Sequence, residues 1–340
     1  MRKRQLLFVV VSVFLFAILG VSITCAQPKP IDLKCATFGP DVHPHSIALM
    51  DFCKEIEKRT NGRVKINYYG SGTLLSAKAL YDGLVTGVTD IAMSLLSYNS
   101  GRFPQMEGLA LPLGYRDGAM ASKVVNDVYW KFVPKELDDI HLLYLNAHGP
   151  GVIFSKKPVR TLGDLKGMKV QSGGFNDRIL KALGATPVAF PINAAYEAIG
   201  KGTVEGAFLP FEALKGWRLA EVIGYVTNSY LIGNTNAMWT GLNKSKWDSL
   251  PKDIQEIFSE VSKEWANRHG KIWYDMDIAG REYAVQLKRQ IIELPPDEHG
   301  RWVAAVQPLM AEYIATMQTK GFPGKELLDY ARERIKKYTK

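Results

Sequence analysis

One pattern occurs twice in this chain and constrains its fold more than any other feature. Tyr81-Asp82-Gly83-Leu84-Val85-Thr86-Gly87 runs on into Val88-Thr89-Asp90-Ile91-Ala92, and Tyr196-Glu197-Ala198-Ile199-Gly200-Lys201-Gly202 runs on into Thr203-Val204-Glu205-Gly206-Ala207. Aromatic, acid, small, aliphatic, glycine, acid and alanine fall at the same spacing in both. The pattern describes a helix stopped by a C-cap glycine, a short turn and a buried strand. Built twice, it predicts two similar α/β domains, each with its own sheet. Small ligands are commonly buried in the cleft between such domains. The length of 340 residues agrees, being too great for one ordinary core.

Around the repeats, helix and strand signals alternate. Ile31 to Thr37 largely alternates apolar and polar residues before Gly39-Pro40 and reads as a strand. Ile47, Met50, Phe52, Cys53 and Ile56 keep helical spacing up to Thr60-Asn61-Gly62. Val64 to Tyr69 is a strand, Leu74 to Val85 a helix and Asp90 to Leu96 a strand. Ala119 to Phe132 is a helix and Leu142 to Ala147 a strand, broken by Gly149-Pro150-Gly151. Such alternation predicts an α/β protein with layered sheets. After Pro251 no proline follows until beyond Arg289, and Ile257, Val261, Trp265, Ile272, Met276, Tyr283 and Leu287 hold a helical stripe. At ~1.5 Å per residue this helix would reach ~55 Å and run across both domains, with Gly270 and Gly280 as places for a kink. Pro295-Pro296 ends a short strand, and two helices close the chain.

The N-terminus reads as an export signal. Arg2, Lys3 and Arg4 precede the apolar run Leu6 to Ile23, and Thr24-Cys25-Ala26 places small residues before Gln27, the order that a signal peptide spanning 1–26 requires. A lipid anchor on Cys25, for which Thr24 is a poor neighbour, and a retained anchor helix are the alternatives. Setting the three basic residues aside leaves +6 of the formal +9, spread along the chain with no Lys/Arg block suited to nucleic acid. Cys35 and Cys53 are too few for a disulfide framework. They read as two buried thiols, with a bridge geometrically open.

A search for catalytic chemistry finds no phosphate-binding loop, dinucleotide-binding glycine motif, zinc-protease helix or serine elbow. His43 and His45 flank Pro44 without an acid or cysteine cluster, which favours a loop or cleft-lining role over a metal. Asp90 and Glu212 lie near strand ends, where acids act in catalysis but more often cap helices. More distinctive is the density of aromatic and amide side chains near predicted strand ends: Tyr98, Phe208, Phe211, Trp217, Asn234, Asn236 and Trp239. As a group they are expected to line a pocket. No catalytic residue, metal or cofactor is expected.

The segment Lys157-Pro158-Val159-Arg160-Thr161-Leu162-Gly163-Asp164-Leu165-Lys166-Gly167-Met168-Lys169-Val170 resembles the central signature of the DctP-type solute receptors of TRAP (tripartite ATP-independent periplasmic) transporters. Ala182-Leu183-Gly184-Ala185-Thr186-Pro187, Ser71-Gly72-Thr73-Leu74, Gly101-Arg102-Phe103-Pro104 and Trp247-Asp248-Ser249-Leu250-Pro251 fit the same family in order and spacing. The resemblance implies a periplasmic-binding-protein-like fold: two α/β domains around a ligand cleft, with hinge strands and the long helix bridging both. The expected division is 27–148 plus about 245–290 for the first domain and 149–244 plus about 291–340 for the second. It further implies a periplasmic receptor that captures a small organic acid or related polar or aromatic metabolite and delivers it to a TRAP membrane permease. An exported enzyme of unknown chemistry and a receptor feeding a signalling partner are the other readings.

One departure bears on the ligand. Most of these receptors resemble one another in an Arg that forks onto the ligand carboxylate from the place held here by Gln171, and a second Arg of some members falls at Gly151. Either a neighbouring cation such as His148 or Arg178 substitutes, or the ligand is less acidic and held by amides and aromatic faces. Asn146, Asn234 and Asn236, beside Phe208 and Trp239, incline the reading to the second. His45 and Glu212 complete the expected site.

Overall fold

The computed structural model describes residues 29–339, so the expected signal peptide lies outside the described residues. The strands are β1 (Ile31–Thr37), β2 (Val64–Tyr69), β3 (Ile91–Leu95), β4 (Ile140–Ala147), β5 (Val152–Ser155), β6 (Lys169–Ser172), β7 (Thr186–Ala189), β8 (Gly206–Leu209), β9 (Tyr225–Asn228), β10 (Ala237–Asn243) and β11 (Gln290–Glu293). The longer helices are α1 (Pro44–Arg59), α2 (Gly118–Phe132), α3 (Lys252–Gln286), α4 (Pro296–Val306), α5 (Pro308–Thr319) and α6 (Gly324–Thr339). Two mixed sheets result, one ordered β2-β1-β3-β10-β4 and the other β11-β9-β5-β8-β6-β7. The repeated pattern forms one helix–turn–strand unit in each: β3 and β8 both lie inside their sheets. Gly87 (φ 78°) and Gly202 (φ 77°) make the turn in the left-handed region that side chains resist.

The chain passes between the sheets through His148–Gly151, through Ser229–Asn236 and along α3. The first two crossings are stitched together. Gly151 N donates to Asn234 O at 3.0 Å, Asn236 N donates to His148 Nε2 at 3.0 Å, and the Thr235 hydroxyl donates to His148 O. α3 is a continuous helix of 35 residues, about 52 Å long. It packs on α1, α2 and β4 at the first sheet and on Ala213–Gly216 and β11 at the second. Its glycines serve close packing: a Cβ at Gly280 would meet Phe211 O at 2.0 Å, and one at Gly270 the Ser122 side chain at 2.9 Å.

Several expectations need correction. Residues 237–243, assigned to the second domain, form β10 of the first sheet, because Met238 pairs antiparallel with both Leu95 and Asn146. The last helices also return to the first sheet's side: α6 packs on α2, and Tyr313 Oη donates to Gln105 O at 2.8 Å. The helix expected from Leu74 begins at Leu80, because Ser71 and Gly72 take left-handed backbone (φ 57° and 68°) and the residues after them stay in turns. Cys35 and Cys53 are buried, unbridged thiols.

Trp239 is core rather than pocket. Its ring is fully buried, edge-on to Tyr81 at 5.3 Å. Truncation to alanine in such a site leaves a cavity that its neighbours fill only in part. Trp239→Ala is therefore expected to lower unfolding free energy by about 3–5 kcal/mol in denaturant titration. A loss below about 1 kcal/mol would contradict the core assignment.

Candidate ligand-binding site

The carboxyl ends of β1 and β3 in one sheet, and of β6, β7 and β8 in the other, converge on a single cleft. Ligands of open α/β sheets sit at such strand ends. The enclosed cavity is about 70 Å³, and the space widens to about 740 Å³ when the open mouth is counted. One wall carries Phe38 after β1, His43 and His45 at the start of α1, Tyr98 after β3, Met238 on β10 and Trp273 on α3. The facing wall carries Gln171 on β6, Phe190 after β7, Leu209 ending β8, then Glu212 and Trp217.

These walls touch each other, so the cleft is closed. Phe38 and Trp217 stack with centroids 6.3 Å apart and planes 9° from parallel. His43 Nε2 lies 3.3 Å from Glu212 Oε2, with both side chains buried. A Cβ on Gly216 would stand 2.7 Å from that same oxygen, so glycine lets the turn fold over the pair. Gly174 (φ 65°) comes so near Ser97 that a Cβ would meet the serine Cβ at 2.6 Å.

The polar groups of the cleft are mostly neutral. His148 donates from Nδ1 to Gly149 O at 2.6 Å and accepts the Asn236 amide on Nε2, which uses both nitrogens of the neutral ring. Burial holds its pKa at about 4. Burial, followed by the neighbouring His269, His43 and His148, pushes His45 well below the usual imidazole range. Both His45 nitrogens are buried without a partner. Behind them, burial takes His269 down to about 3. Asp277 of α3 moves the other way, raised by burial to about 8. Its carboxyl end is wedged between the Glu212 amide, whose hydrogen it accepts at 2.9 Å, and Gly149, where a Cβ would sit 2.1 Å from Oδ2.

Of the residues expected from sequence, Gln171, His148, Glu212, Asn236, Tyr98 and His45 meet in the cleft. Others do not. Asn146 lies one layer behind, accepting from Trp273 Nε1 at 2.8 Å and pairing with His269 Nδ1 at 3.2 Å. Asn234 is buried in the crossing and donates to Asn176 Oδ1. Phe208 is fully buried in its sheet. Phe211 turns towards α3, with Arg281 5.9 Å over its ring. Arg178 is exposed and covers Phe175 at 5.3 Å. The expectations missed Phe38, Phe190 and Trp273. Phe38 and Phe190 each follow a strand end, the signal that singled out the others, whereas Trp273 lies within the long helix, where no sequence cue separates cleft from core.

The profile of the bacterial extracellular solute-binding proteins, family 7 (DctP), matches residues 35–316. The chain belongs to that family. A TRAP periplasmic solute-binding protein from Desulfovibrio salexigens, in an open form, is 32% identical with a TM-score of 0.80, over 91% of this chain and 96% of that one. A TRAP solute-binding protein from Rhodoferax ferrireducens, in complex with copurified benzoate, is 28% identical with a TM-score of 0.85, over 91% and 98%. A curated solute-binding protein of Albidiferax ferrireducens is 29% identical over 63% of this chain, which spans 64% of that relative. The two sheets, the crossings and the long helix are thus the two-domain binding-protein fold of these receptors.

The buried groups make the stability of the fold depend on pH. An unfolded chain binds more protons than the folded one between the ordinary 6.5 of His148 and its folded value of about 4, so acid in that window destabilises the fold. Asp277 has the opposite sign, because the folded chain keeps its proton between the ordinary 3.8 and about 8, and stability is lost as pH rises through that range. In urea titrations across this span, Asp277→Asn is expected to flatten the alkaline decline and leave the acid decline in place. An unchanged alkaline slope would show that the wedged carboxyl ionises freely.

Proposed function

We propose that this receptor captures a compact, aromatic-sized solute, a small organic acid or a related polar or aromatic metabolite, and delivers it to a TRAP permease. The observation that carries this reading is the cleft itself: flat apolar faces from two separate sheets, with a few buried polar groups between them, line one shared cavity. The relative that copurified with benzoate supports an aromatic body. Signal-like residues 1–26 support export to the periplasm. Solute contacts on both walls would stabilise the shut arrangement over an open one, which is the differential affinity that drives closure.

Purified protein equilibrated with a metabolite extract is expected to retain one unchanged compound. Small-angle scattering should show the chain compacting when that compound is added back. Trp217 is half-buried, so its loss should weaken binding more than folding. Trp217→Ala is expected to weaken binding by about ten-fold or more while leaving the melting temperature nearly unchanged. Retention of a chemically altered compound would favour an exported enzyme, and an unchanged radius with bound solute would contradict closure.

A further inference from the structure

We propose that the solute carries a hydrogen-donating nitrogen, an amine, amidine or amide, on its apolar body, and that Gln171 and Glu212 accept from it. This rests on the receptor reading above. Gln171 Nε2 donates to Phe190 O at 2.8 Å, which fixes the amide, because the reversed group would set two oxygens against each other. Gln171 Oε1 is left buried in the cleft wall without a partner. Its free capacity is for accepting.

Glu212 adds a second acceptor. His43 Nδ1 accepts from the His45 amide, so the ring proton sits on Nε2 and faces Glu212 Oε2. The other Glu212 oxygen makes no hydrogen bond among the described residues. No Lys or Arg among the described residues lines the cleft, and the walls already touch, so closure draws none in. Gly151 is crowded: a Cβ there would stand 2.9 Å from Asn234 Oδ1 and 3.3 Å from the Phe208 ring, so a longer side chain would have to displace both. A carboxylate set against Gln171 Oε1 and the Glu212 carboxylate would meet two acceptors with no Lys or Arg beside them, a costly arrangement. A donor nitrogen suits acceptors of this kind, and a cationic one is also attracted by the faces of Phe38 and Trp217.

Benzoate, benzamide and benzamidine share a ring and nearly a shape while running from negative through neutral to positive. In calorimetric titration of the receptor, benzamide and benzamidine are expected to bind at least about ten-fold more tightly than benzoate. Glu212→Gln should remove most of benzamidine's advantage over benzamide, and Gln171→Arg should shift preference towards benzoate, with melting curves confirming that each variant is folded. Benzoate as the tightest ligand of the unsubstituted protein would overturn the proposal. If none of the three binds, the compound retained from a metabolite extract decides: an amine, amidine or amide supports the proposal, and an acid without a donor nitrogen overturns it. Retention of nothing would remove the receptor reading, and this proposal with it.

Discussion

Everything at the cleft depends on α3 being fastened to both sheets at once. At the first sheet, Trp265 Nε1 donates to Ala48 O and Trp273 Nε1 to Asn146, each at 2.8 Å. At the second, Gly280 admits the Phe211 carbonyl, and the Asp277 carboxyl accepts from the Glu212 amide. A rod anchored in this way sets where Glu212 and Trp217 stand relative to His43 and Phe38 in the shut arrangement. The two crossings beside it, hydrogen-bonded to each other, join the sheets at a second place. Closure then follows from a few pairings between walls rather than from refolding of either sheet.

The polarity of the cleft follows from the same construction. Buried polar groups must find partners, and most here find them within the protein: His148 between Gly149 and Asn236, Asn146 between Trp273 and His269. What is left open to a solute is therefore specific. Gln171 retains an acceptor oxygen, His45 retains both nitrogens, and the long apolar faces lack any Lys or Arg beside them among the described residues. The Phe208 ring and the Asn234 side chain crowd Gly151, so a longer residue at that position would have to displace them.

The fold was legible because its signals are local. The glycine-ended repeat, β-strand alternation around Ile31 and the proline-free stripe of α3 each depend on residues close in sequence. Site residues were harder to read, because a residue near a strand end faces the cleft or the core according to which strand lies beside it. Trp239 and Phe208 look like cleft aromatics until β10 takes its place between β3 and β4, and β8 between β5 and β6. The same limit misplaced the β10 boundary: the long crossing from β9 to β10 carries no composition change where the chain changes sheets. Gln171 was found by its departure from a family pattern. Its amide orientation depended on the Phe190 carbonyl, a contact across β7 that spacing does not encode.

The most direct test is a crystal structure of the protein carrying the solute it retains from a metabolite extract. Solute density is expected in contact with both Phe38 and Trp217, with a donor nitrogen within hydrogen-bonding distance of Gln171 Oε1 and no Lys or Arg side chain against it. A solute bound outside this cleft, or a carboxylate paired there with a lysine or arginine, would contradict this picture of the site.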